Sequence, residues 1–114
     1  MQIKAAVAIV TGGGSGIGAA IAASLCAQGA RVMIAGRRAE RLEATAARIR
    51  AGGGEVLCRA TDVADPAQCG ELAAEAAARL GPVDILVNNA GIKCHGRPIE
   101  EHTAADWDEV MATN

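Results

Sequence analysis

A doubly wound α/β fold around a four-stranded parallel sheet is predicted by three features of this 114-residue sequence. Short β-branched apolar runs alternate with longer helical patterns, the organisation of a parallel sheet with crossover helices. The first run, almost continuously apolar as suits a strand covered on both faces, leads into G-G-G-S-G at Gly12–Gly16. The fourth leads directly into N-N-A-G at Asn88–Gly91.

Each element has a local reason. Lys4–Val10 reads as the first strand, and Gly16 to about Gln28 as the first helix, with Ile17, Ile21 and Leu25 on one face and Gly29 as its cap. Arg31–Ala35 is the second strand. Ala39–Ala51 is the second helix, ended by Gly52, Gly53 and Gly54, and Glu55–Ala60 is the third strand. Asp65-Pro66 starts the third helix, a side-chain cap followed by proline in the first turn, and Gly81-Pro82 closes it after about Leu80. Asp84–Val87 is the fourth strand. A loop from Ile92 to about His102 precedes a helix capped by Thr103, carrying Trp107 as a packing anchor with Val110 and Met111, and still running at Asn114.

The turn after the first strand has a specific physics. Glycines let the backbone approach a ligand where a Cβ would collide, and a helix start offers unpaired N–H groups and the positive end of its dipole. A phosphate or pyrophosphate is the natural occupant. Gly14, Gly16 and Ala19 fit the G-x-G-x-x-G/A spacing of a Rossmann-type dinucleotide unit, between a strand and a helix as that unit requires. The expected strand order is 3-2-1-4, one βαβαβ half plus the first strand of another, so residues 1–114 read as a single partial, truncated domain.

Composition narrows the function. Apolar residues make up 51%, much of it alanine, and Trp107 is the one aromatic, so the core buries little area per residue. The net charge of −2 is spread along the chain, which argues against a nucleic-acid surface. Cys26, Cys58, Cys69 and Cys94 lack C-x-x-C or zinc-finger spacing, and free thiols in a reducing cytoplasm are expected, with no metal. No run approaches a membrane span or a signal-peptide core. The chain is expected to be soluble and cytoplasmic.

Four places together resemble the short-chain dehydrogenase/reductase family: T-G-x-x-x-G-I-G at Thr11–Gly18, Asp62-Val63 after the third strand, N-N-A-G at Asn88–Gly91, and W-x-x-V-x-x-x-N ending at Asn114. The resemblance runs from about Lys4 onward and matches about the first half of a typical member. It implies that Gly12, Gly14, Ser15, Gly16, Ile17 and Gly18 cradle the phosphates and ribose of a nicotinamide dinucleotide. Asp62 would bond the adenine amino group with help from the Val63 backbone. Asn89, Ala90 and Gly91 would line the nicotinamide-side ribose, with Asn88 in a structural role.

Cofactor choice is read at the end of the second strand. A dinucleotide unit that binds NAD carries a carboxylate there for the ribose 2′-OH, whereas this chain has Gly36 followed by Arg37 and Arg38. Glycine leaves room, and a guanidinium grips a phosphate with two parallel hydrogen bonds. NADP is therefore expected rather than NAD, with Arg37 the main contact and Arg38 beside it.

The family resemblance also implies hydride transfer between the nicotinamide and a carbonyl or alcohol. A Tyr beside a Lys acts as acid/base, a Ser polarises the substrate oxygen, and an Asn holds a relay water. Asn114 matches that Asn, while the chain has no tyrosine. His95 and His102 read as surface histidines. The expectation is thus the NADP-binding half of such an oxidoreductase, catalytically incomplete alone and completed by a C-terminal half. The alternative is a non-catalytic NADP-binding or interaction module that pairs with another chain or with itself.

Overall fold

The computed structural model describes residues 3–14 and 16–89. The expected loop from Ile92, the helix from Thr103 and Trp107 lie outside the described residues. Within them the order is β1 (Val7–Thr11), α1 (Gly16–Ala27), β2 (Arg31–Gly36), α2 (Ala39–Ala51), β3 (Glu55–Ala60), α3 (Pro66–Leu80) and β4 (Ile85–Asn88). The four strands form one parallel sheet in the order β3-β2-β1-β4, as expected.

Two strand starts differ from the sequence reading. β1 begins at Val7, not Lys4, because Ile3 to Ala6 folds into a turn closed by the Ala6 N–H on the Ile3 carbonyl, with Ala5 at φ +66°. Its far end instead extends to Thr11, opposite Ala35 and Asn88. β4 begins one residue late because Asp84 caps the neighbouring strand. Its Oδ2 accepts from the Val7 N–H at 3.0 Å, while its own N–H donates to the Val7 carbonyl at 2.8 Å.

Alternation along the strands divides the core into two layers. Ala8, Val10, Val32 and Ile34 face α1 and α2, packing with Ala22, Leu42 and Ala46. Val7, Ile9, Met33 and Ala35 face the other way, onto Leu72, Ala76 and Leu80 of α3. Gly29, at φ +93°, closes α1 as expected: its N–H bonds the Cys26 carbonyl and the Ala30 N–H bonds that of Leu25, the paired pattern that a left-handed residue allows.

Among the described residues no helix is long and apolar enough to cross a membrane. The Cys58 thiol, on edge strand β3, donates to Glu43 Oε1 at 3.1 Å, and burial followed by that carboxylate pushes it up to about 11.

Arg59 of the same strand bridges to α3, pairing with Glu75 and, at 2.9 Å, with Glu71, while Arg79 joins Glu75 at 3.2 Å. The Arg59 hydrogen bond, opposed by partial burial and aided by Arg79, holds the Glu75 carboxyl below the usual carboxylate range. A depressed folded-state pKa stabilises the fold above the unfolded value of about 4.3, and the contribution is lost as pH falls through the folded value. Glu75→Gln is therefore expected to flatten the acid limb of stability measured by urea unfolding below about pH 5, with little change in its shape from there to about pH 7.

Candidate functional site

The C-terminal ends of four parallel strands bring the sequence motifs to one edge of the sheet. A small hollow of about 120 Å³ opens there, lined by Gly12, Gly14, Gly36, Arg37, Arg38 and Arg41. The expected phosphate turn and the expected cofactor-selecting arginines thus meet. Arg41, which the sequence reading did not single out, joins them from the first turn of α2. Its approach depends on Gly14, where a Cβ would lie 3.1 Å from the Arg41 Cβ.

The hollow is suited to an anion. Arg37, Arg38 and Arg41 are exposed, so their charges carry little desolvation cost, and no ion pair is recorded for any of them among the described residues. Arg38 is the N-cap of α2 and makes no side-chain cap bond, leaving first-turn N–H groups without a capping side chain. At Gly36 a Cβ would meet only the Leu42 side chain, at 3.4 Å and beyond. A Cβ is therefore in ordinary contact there among the described residues, and glycine is not forced at this position by a clash at the Cβ.

The glycines divide by what surrounds them. A Cβ on Gly16 would meet nothing within 4 Å among the described residues, so none of these explains its small size. Gly18 is the opposite case: a Cβ there would fall 2.0 Å from the Gly12 carbonyl oxygen and 2.8 Å from Asn89 Nδ2. It is the point where α1, the glycine turn and the end of β4 press together. Ile17, beside it, is 70% exposed.

Thr11 ties this arrangement together. It is fully buried, and its Oγ1 accepts from the Asn89 N–H at 3.0 Å. The one hydroxyl proton is shared between Asn88 Oδ1 at 3.2 Å and the Val87 carbonyl at 3.3 Å. The ends of β1 and β4 are locked in register by one side chain, with Asn88 on the structural side of the pair. Asp62 lies after β3, where the Thr61 N–H donates to the Gly36 carbonyl at 2.7 Å and brings the adenine-side candidates beside the arginine hollow. The Asp62 carboxylate accepts from the Ala64 N–H at 2.9 Å, and Val63 follows it, half-buried. Ser15, Ala90, Gly91 and Asn114 lie outside the described residues.

The family model described as short chain dehydrogenase matches residues 6–114. The chain is 42% identical over 113 residues to D-threitol dehydrogenase of Mycolicibacterium smegmatis, covering 99% of this chain and 43% of that protein. It resembles the crystal structure of a metagenomic short-chain oxidoreductase in complex with NADP at 39% identity and a TM-score of 0.75, covering 98% of this chain and 51% of the other. A variant of actinorhodin polyketide ketoreductase with NADPH is similar at the same identity and TM-score, with 96% and 41% covered. The chain thus spans about half the length of these proteins, between 41% and 51%, corresponding to their N-terminal part.

Replacing Thr11 by Val keeps the volume but leaves the Asn89 N–H without its acceptor. Thr11→Val is expected to destabilise the fold by about 1–3 kcal/mol in urea unfolding, while Thr11→Ser, which retains the hydroxyl, keeps the larger part of that stability.

Proposed function

Because this chain belongs to the short-chain dehydrogenase family, we propose that it binds NADP at the sheet edge formed by β1, β2 and β3. In this reading it supplies the coenzyme-holding part of an oxidoreductase. Nicotinamide dinucleotide binding is the family's shared property; the choice of the 2′-phosphorylated form rests on the hollow bounded by Arg37, Arg38 and Arg41, with no carboxylate among its lining residues.

The residues present fit such a group. Gly12, Gly14 and Gly16 offer a backbone cradle, with no described residue within 4 Å of where Gly16 would carry a Cβ, and Ser15, Ile17 and Gly18 complete the motif. Arg37 and Arg38 would hold the 2′-phosphate, with Arg41 as a third cation. Asp62, with Val63, would hold the adenine, and Asn89, Ala90 and Gly91 would border the second ribose. When bound, the coenzyme supplies or accepts a hydride, exchanged with a carbonyl or alcohol. What the chain's own residues contribute is grip and orientation: N–H groups for the diphosphate, guanidinium charge for the 2′-phosphate and, at Asn114, an amide suited to holding a relay water. The general acid/base must come from outside these 114 residues, which contain no tyrosine.

Calorimetric titration of the chain with both coenzymes tests the assignment. NADP is expected to bind at least about tenfold more tightly than NAD, the scale of one charge-assisted phosphate contact. Arg37→Asp is expected to abolish that preference. Gly36→Asp, whose Cβ would make an ordinary contact with Leu42, is expected to reverse it toward NAD. Equal affinity of the unaltered chain for the two would overturn the choice of NADP.

A further inference from the structure

We propose that Gln68 positions Asp62 for recognition of the adenine amino group, an inference that rests on the coenzyme reading above. The observation is a closed set of hydrogen bonds at the start of α3. Gln68 Oε1 accepts from the Asp62 backbone N–H at 2.8 Å, and its Nε2 donates to Asp65 Oδ2 at 3.1 Å. Asp65 in turn caps α3 through Oδ1, which accepts from the Ala67 N–H at 3.0 Å, and its own N–H donates to the Asp62 carbonyl at 3.0 Å. Both amide groups of Gln68 are therefore assigned by their partners: an N–H demands the oxygen, and a carboxylate demands the nitrogen.

The next residue of the helix repeats the arrangement one step along. Cys69 Sγ lies 3.4 Å from the Val63 carbonyl, to which it donates. Two consecutive side chains of the first turn of α3 thus hold the two consecutive residues to which adenine recognition is assigned. Only one Asp62 carboxylate oxygen carries a recorded bond among the described residues, from Ala64. The Thr61 N–H on the Gly36 carbonyl anchors the same segment to β2. Among the described residues Gln68 does not line the hollow. Its influence runs through the backbone of Asp62, which it fixes so that a carboxylate meets an amino donor at a defined place.

A base that carries an oxo group in place of the amino group separates this role from plain support of the fold. A carboxylate accepts from an amine and repels a carbonyl oxygen. The full chain is titrated with NADP and with its hypoxanthine analogue, deamino-NADP. The unaltered chain is expected to prefer NADP. Gln68→Ala is expected to lose about tenfold in NADP affinity with little change toward the analogue, so that the preference collapses. The exchanged pair Asp65→Asn with Gln68→Glu retains an oxygen for the Asp62 N–H and an amide donor between residues 65 and 68, and is expected to keep most of the preference; it also tests the idea should the alanine variant not fold. Equal weakening toward both ligands in Gln68→Ala, or a lost preference in the exchanged Asp65→Asn, Gln68→Glu pair, would overturn the inference. So would an unaltered chain that binds the two coenzymes alike. Binding of neither would overturn the coenzyme reading itself.

Discussion

One buried hydroxyl sets the geometry on which the rest of the molecule depends. Thr11 lies at the last position of β1, where the strand gives way to the glycine turn, and its oxygen is shared with the last residue of β4 and with Asn89 beyond it. Parallel strands are evenly bonded along their length, but nothing in a ladder fixes what happens after the final pair. A side chain that both accepts and donates at that point extends the register into the loops. Gly18 then becomes obligatory, because the tightened ends leave no volume for a Cβ between the Gly12 carbonyl and the Asn89 amide.

Around that fixed point the site is built from groups that cost little to place. Backbone N–H groups at helix starts need a partner in any case, and solvent or an anion can supply it. The three guanidiniums of the hollow are exposed, so the fold does not compensate a buried charge in order to hold them. What the fold controls is their proximity. Gly14 lets α2 draw near the turn, and Gly36 leaves the position between them without a competing carboxylate. Selectivity here depends as much on what is missing as on what is present.

The order of elements and the strand sequence of the sheet were legible because both follow from periodicity and punctuation. Asp65-Pro66, Gly29 and Gly52–Gly54 mark ends that local chemistry alone determines, and α2 and β3 fall where the sequence places them. The start of β1 was not legible: Lys4–Ala6 leads into the apolar run without a turn residue, and the bonds of the Ala6 N–H to the Ile3 carbonyl and of the Ala5 N–H to the distant Gly29 carbonyl form the turn. The glycine turn and the arginine pair were visible as motifs. Thr11 was visible as a letter of one, but its bonds span 77 and 78 residues of sequence and have no local signature. Arg41 reads as one more charge on a solvated helix face until Gly14 is found against it. Gln68 reads as an ordinary helical glutamine until the loop folds back over α3.

The two rims of the sheet are unlike. On β3, Glu55 is exposed and Arg59 is tied into a lattice of charges with α3, so an incoming backbone would meet charged side chains there. On β4, Ile85 and Val87 pack on the layer of α1 and α2 and Leu86 on that of α3, each half-buried among the described residues. Accretion of a further strand is thereby discouraged at the β3 flank, where charge rather than apolar area meets solvent.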